Sequence, residues 1–220
     1  MARRSMLAAA AIGFVLGFLG SVPVAGPVSA VVVAQGLAGR FRSGASIALG
    51  AALGESLYAL GVFWGLSELL ARYAFVVPLS QAVAAAILLG LGIRFVRGRL
   101  AAGPARPEEA RAAPFALGFG LAALNPTLIA TWTAAVAALC STGLVLLSSE
   151  RAPFFAAGVG AGIAAWFAVL LAVMRRYGRR LPRVALDRCV RALGLLLLGL
   201  AAWFALRFIL WAAAALSVPS

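Results

Sequence analysis

Ser21-Val22-Pro23-Val24-Ala25-Gly26-Pro27-Val28-Ser29 interrupts an apolar run that extends from Met6 to Ala34. Proline has no backbone N–H, and its ring clashes with the carbonyl four residues back, so a helix must open across this stretch. Opened backbone at membrane depth persists only where protein buries it or where it lines a wet cavity. Interrupted spans are therefore the best pointer in a sequence to a transporter's binding site. A second interruption, Asn125-Pro126, lies in another apolar run about a hundred residues later.

Composition sets the environment. Of 220 residues, 64% are hydrophobic, and the mean hydropathy is +1.05. Soluble domains are about 45–50% apolar, so the chain reads as an integral membrane protein. All 19 basic residues are arginine, and there is no histidine. That excludes imidazole metal sites, proton-shuttling histidines and histidine-based triads. The net charge of +13 is spread over arginine clusters between apolar runs, a pattern of membrane topology and not of nucleic-acid binding. Cys140 and Cys189 form neither a disulfide framework nor a CxxC redox motif. The start, Met1-Ala2-Arg3-Arg4-Ser5, has the charge of a signal peptide. The apolar stretch after it is too long and ends in no small-residue cleavage site, so a retained first span is predicted.

A spanning helix needs about 20 apolar residues. Six segments qualify, roughly Ala8–Leu37, Gly44–Leu66, Ala74–Val96, Phe115–Leu139, Pro153–Met174 and Ala192–Trp211. Short loops between them predict a single transmembrane domain over 1–220. Arg3, Arg4, Arg72, Arg151 and Arg207 lie on one side, and the other fourteen arginines on the opposite side. Arginine-rich short loops stay cytoplasmic, so both termini are expected outside.

The two halves resemble each other. Leu88-Leu89-Gly90-Leu91 matches Leu197-Leu198-Gly199-Leu200, and Gly50-Ala51-Ala52-Leu53-Gly54 matches Gly158-Val159-Gly160-Ala161-Gly162. Gly17-Phe18 before the first break matches Gly118-Phe119 before the second. A three-span unit repeated once has inverted topology, a recurring plan of secondary transporters. The expected fold is all-α, with six transmembrane helices as two inverted three-helix repeats and spans one and four broken at proline. Repeat one covers about 1–100 and repeat two about 114–220, with a cytoplasmic linker at about 97–113.

Glu55 sits near the centre of span two. A carboxylate at bilayer centre costs at least about 2.5–3.5 kcal/mol on insertion scales. It must face the interior, take up a proton or find a partner. Its aligned position in the second half is Ile163, so the acid is one-sided. Gly50, Gly54, Gly61 and Gly65 form a stripe suited to close helix approach. Asn125 satisfies backbone groups freed by Pro126 or contacts cargo; the residues leave both roles open. Trp132 and Tyr58 are cavity candidates, although a packing role suits a tryptophan better. Ser21 and Ser29 are weaker candidates, because serine bonds back to its own helix. Arg207, near the end of span six, either snorkels to the interface or partners Glu55. The run Arg175-Arg176-Tyr177-Gly178-Arg179-Arg180 reads as a topology signal that also meets anionic lipid.

Together these residues resemble the lysine exporter (LysE/RhtB) superfamily of bacterial inner-membrane exporters, over nearly the whole chain. The family's Pro-Gly-Pro type motif looks like Pro23-Val24-Ala25-Gly26-Pro27, with Ala25 at the place of the triplet's first proline. Its Gly-Asp in span two is here Gly54-Glu55, and its Asn-Pro in span four is Asn125-Pro126. Thr127 stands where many members have lysine. The resemblance implies a proton-coupled secondary exporter of amino acids or related small polar metabolites in the bacterial inner membrane, and no enzyme. Its substrate and proton site would comprise Pro23, Gly26, Pro27, Gly54, Glu55, Tyr58, Asn125, Pro126, Thr127 and Trp132. The implied partners are the cargo, protons and lipid, with a homo-oligomer left open. No cofactor, metal or nucleic acid is expected. A metal-ion exporter of the same superfamily and a non-transporting membrane scaffold are the alternatives. An electron carrier of the cytochrome c biogenesis type would need a cysteine in span one, which is absent.

Overall fold

The computed structural model describes residues 2–22, 26–65, 75–97, 109–125, 127–141, 150–177 and 183–216. Among them every regular element is an α-helix. The order is α1 (Ala2–Gly20), α2 (Pro27–Leu37), α3 (Phe41–Phe63), α4 (Val76–Val96), α5 (Glu109–Ala123), α6 (Thr127–Ser141), α7 (Ala152–Tyr177) and α8 (Arg183–Leu216). By length and composition, three stretches suffice to cross a bilayer: Phe41–Val62, Ala152–Tyr177 and Asp187–Ala213. Shorter apolar helices cover Ser5–Gly20, Pro27–Leu37, Gln81–Val96 and Ala112–Ala123. Large apolar side chains face outward, among them Leu195, Trp203, Leu206 and Ile209 on α8. Such a surface suits lipid and not water.

Two boundaries differ from the sequence expectation. Helix α8 starts at Arg183, well before Ala192, because no glycine or proline intervenes between Arg183 and Val190; Asp187, Arg188 and Arg191 lie exposed on this extension. Helix α5 starts at Glu109, inside the expected linker. Pro114 sits one turn into it, where only the Ala110 carbonyl loses a partner.

Local chemistry explains the helix ends. α1 stops at Gly20 and α2 begins at Pro27; Pro23 lies outside the described residues. The last carbonyls of α1 are met by tightened bonds, Ser21 N–H to Phe18 O (3.3 Å) and Val22 N–H to Leu19 O (3.2 Å). The Ser21 hydroxyl donates back to Gly17 O at 2.8 Å. Gly26 is extended (φ −97°, ψ 165°) and places Pro27 at the first helical position, where a missing N–H costs nothing. α2 ends in a left-handed Gly39 (φ +74°), with Arg40 N–H on Gln35 O at 2.9 Å and Gly39 N–H on Gly36 O at 3.0 Å. This is the Schellman closure, which favours glycine because an L side chain is strained at that φ. It turns the chain sharply into α3.

Packing then relies on glycine. α1 lies along α7, α3 along α5, and α4 along α8, while α3 also crosses α7. A Cβ at Gly13 would overlap the Phe155 carbonyl, and one at Gly158 the Ala10 carbonyl. On the other pair, a Cβ at Gly118 would overlap the Ile47 carbonyl, and one at Gly50 the Phe115 carbonyl. Gly162 meets Phe14, and Gly54 meets Phe119 and Ala122. So α1·α7 and α5·α3 are like-built seams. Without water to drive association, backbone proximity and dispersion hold such helices together. The core between them includes Ile47, Leu88, Phe155, Val159, Ile163 and Leu197.

Gly158→Leu and Gly118→Leu should each force a seam apart. Overpacking costs about 1–3 kcal/mol, so detergent-solubilised protein should melt several degrees lower and elute broadly. Gly199→Ala, where a Cβ meets nothing within 4 Å, should melt at or above the wild-type temperature.

Candidate functional site

The two seams hold the interrupted regions side by side. Between them lies a cavity of about 380 Å³, within the range of about 300–1,000 Å³ typical of small-molecule sites. The end of α1 (Leu16 to Ser21) and the start of α2 (Gly26 to Ser29) form one wall. Ala122, Asn125, Leu128, Thr131, Trp132 and Ala135 form the facing wall. Glu55 of α3 and Phe167 of α7 complete it. The sequence places Glu55, Gly26, Pro27, Asn125 and Trp132 more than a hundred residues apart at their extremes; the fold gathers all five on one cavity.

Glu55 is the only ionisable side chain among the described residues lining this space, and it is half-buried. The Trp132 indole lies within interaction range of its carboxyl, yet the Trp132 Nε1–H makes no hydrogen bond of good geometry. A buried donor without an acceptor is costly, so this N–H is ready for one. The Trp132 ring is otherwise packed edge-on against Phe155, centroids 6.3 Å apart and planes at 84°. Trp132 is thus both a packing residue and part of the cavity lining.

Asn125 bridges the second interruption. Its side-chain oxygen accepts from Thr127 N–H at 3.2 Å and from Thr127 Oγ1 at 2.6 Å. That is an N-cap: it satisfies a helix-start donor that has no intrahelical acceptor. The Asn125 amide N–H₂ takes no part in this cap, and Asn125 lines the cavity. The Thr127 side chain is exposed and serves the cap, not the lining. Across the break, α5 ends with Asn125 N–H on Ala122 O at 3.0 Å, and the Tyr58 hydroxyl donates to Ala123 O. Tyr58 and Gly54 accordingly line a separate small groove with Leu57, Phe119 and Ala123. Pro126, like Pro23, falls outside the described residues.

The start of α2 lines the cavity without a side-chain cap. Pro27 has no N–H and Gly26 offers no capping side chain, so the Val28 and Ser29 N–H groups have no intrahelical acceptor. The helix dipole adds about half a positive charge there. Arg207 is elsewhere: it is exposed, in an outer groove with Trp203, Leu206, Leu210 and Trp211. It does not partner Glu55.

Some lining residues escaped the sequence reading. Leu128, Thr131 and Ala135 fall with Trp132 at i, i+3, i+4 and i+7, one helix face, and that spacing would have flagged them. Phe167 carried no local signal; α7 packing alone brings it in. Among the described residues no three His, Cys, Asp or Glu side chains gather.

Compared with known proteins, the chain matches a family model described as LysE type translocator over residues 18–207. No curated protein and no solved structure matches it.

Asn125→Ala removes the α6 cap and should destabilise by about 0.5–2 kcal/mol, read as a lower melting temperature in detergent. Asn125→Ser keeps a capping oxygen and should melt close to wild type.

Proposed function

The chain belongs to the LysE type translocator family, and on that premise we propose that it is a proton-coupled secondary exporter of amino acids or related small polar metabolites. It is a membrane translocator and not an enzyme. The observation that carries the cargo reading is the convergence of one acid and a donor-rich helix start on one cavity. An α-amino acid presents a carboxylate and an ammonium. The α2 start offers N–H groups that lack an intrahelical acceptor, and positive dipole, to the first. Glu55 offers the counter-charge to the second. The Asn125 amide and the Trp132 indole add neutral donors. One acid is too few hard ligands for a divalent cation, which disfavours the metal reading.

Six spans are supported by the way the halves exchange partners. The α1–α2 pair and α3 in the first half correspond to the α5–α6 pair and α7 in the second. Like contacts follow: α1 on α7 and α5 on α3, with α3·α7 and α4·α8 as self-matched pairs. Gly162 meets Phe14 as Gly54 meets Phe119, so Ile163 corresponds to Glu55. Ile163 is fully buried in the core. The acid thus belongs to one half, and alternating access would swing these non-identical halves around it. In the apo cycle Glu55 sheds its unfavourable charge by taking a proton. Ammonium binding replaces that proton, and its release couples the two fluxes. The arginine excess at the α2–α3, α4–α5 and α7–α8 connections supports an inner-membrane orientation with both termini outside.

Cells overproducing the protein should accumulate one amino acid or close relative in the medium, read by metabolomics against a deletion strain. Glu55→Gln should return export to the deletion level while protein still reaches the membrane. Unchanged media would favour the scaffold, and normal export by Glu55→Gln would remove Glu55 from the mechanism. A C-terminal alkaline phosphatase fusion should be active; a fluorescent fusion emitting from the cytoplasm would overturn the orientation.

A further inference from the structure

Away from the transport cavity, a second space of about 250 Å³ lies where α2 ends, α3 begins, α4 ends and α5 begins. All four helix ends belong to the arginine-rich face of the bundle. Its lining carries two arginines, Arg40 and Arg94, and no acid. Arg40 is also the N-cap of α3 and makes no side-chain cap there, so the first-turn N–H groups of α3 have neither an intrahelical acceptor nor a cap from Arg40. The Ser43 hydroxyl, in that first turn, adds another hydrogen-bonding group. Two guanidinium groups beside a helix start make an anion site of the kind that takes phosphate.

Two further features narrow the anion. The remaining lining includes Ile47, Leu91, Phe95 and Leu117, an apolar wall that a free ion would not use. The Gln35 side chain also lines the space, and its Oε1 is buried with no hydrogen-bond partner. An orphaned acceptor calls for a donor, and the phosphodiester group itself has none. A phosphodiester carrying a hydroxyl or ammonium on its far side has both. We propose that this space binds the headgroup of a membrane phospholipid: phosphate on Arg40 and Arg94, the headgroup donor on Gln35, glycerol and upper acyl chain along the apolar wall. Basic pockets between helices at the cytoplasmic face are suited to such lipids. The lipid bridges α3 to α5, the pair whose glycine seam borders the transport cavity. Lipid occupancy therefore steadies the seam.

The test uses the full chain, delipidated in detergent, with phosphatidylglycerol, phosphatidylcholine or inorganic phosphate added. Retention is read by native mass spectrometry and protection by thermal melting. Phosphatidylglycerol should be retained at least about tenfold more tightly than phosphatidylcholine, which has the phosphate but no headgroup donor. The Arg40→Gln/Arg94→Gln variant should lose about tenfold in retention, whereas Arg175→Gln/Arg176→Gln, at the end of α7, should keep it. Because Arg40 also sits in the α2–α3 turn, Arg94→Gln alone, an exposed position, serves as the folded control and should show part of the loss. Equal retention by wild type and both Arg94 variants would overturn the site. Inorganic phosphate protecting as well as the lipid would overturn the lipid assignment.

Discussion

A helix that stops inside a bilayer must settle its end groups within the protein, because hydrocarbon offers no water to accept or donate a hydrogen bond. Each interruption in this chain meets that constraint in its own way. The α5–α6 break is closed by Asn125, whose side chain caps α6, and by Tyr58, which donates to Ala123 O. The α1 end is closed by Ser21 and by tightened turns. The α2 start has no side-chain cap, and its Gly26–Ser29 stretch lines the cavity. In the proposed mechanism that difference is functional: one break is sealed and the other is open to cargo.

The glycine seams follow from the same constraint. α1 and α5 each lie along a longer helix. α1 rests on α7 through Gly13 and Gly158, and α5 rests on α3 through Gly118 and Gly50. Backbones that approach this closely leave no slack, so the seams also fix the distance between the two breaks. Glu55 sits one residue beyond Gly54, at the edge of one seam. Its place beside Asn125 and Trp132 is set by how closely α3 approaches α5 and α6.

Much of this was legible from local chemistry. Pro27 after Gly26 announced a helix start, Asn125 beside Pro126 a capped one, and the spacing of Gly50 and Gly54 a close contact. Glu55 declared itself by being an acid in an apolar run. Other features had no local trace. Tyr58 looked like a cavity residue and became a tie to Ala123, because its reach depends on where α5 ends. Phe167 reaches the cavity only through the packing of α7, which no local window of sequence reports. The early start of α8 was missed because polar residues such as Asp187 and Arg191 mark the limit of an apolar run, not of a helix.

The sequence by itself determined the membrane class, the helical content, the two interruptions and an acid, Glu55, inside an apolar run. Each is a property of single residues or short windows: proline chemistry, apolar length and the cost of a buried charge. Only the tertiary structure decided that the interruptions and Glu55 share one cavity, that the Trp132 indole lies beside the acid, and that Arg207 lies in an outer groove. Those are distances between residues far apart in the chain, and the carbonyl-to-glycine contacts that set them exist only once the helices have packed.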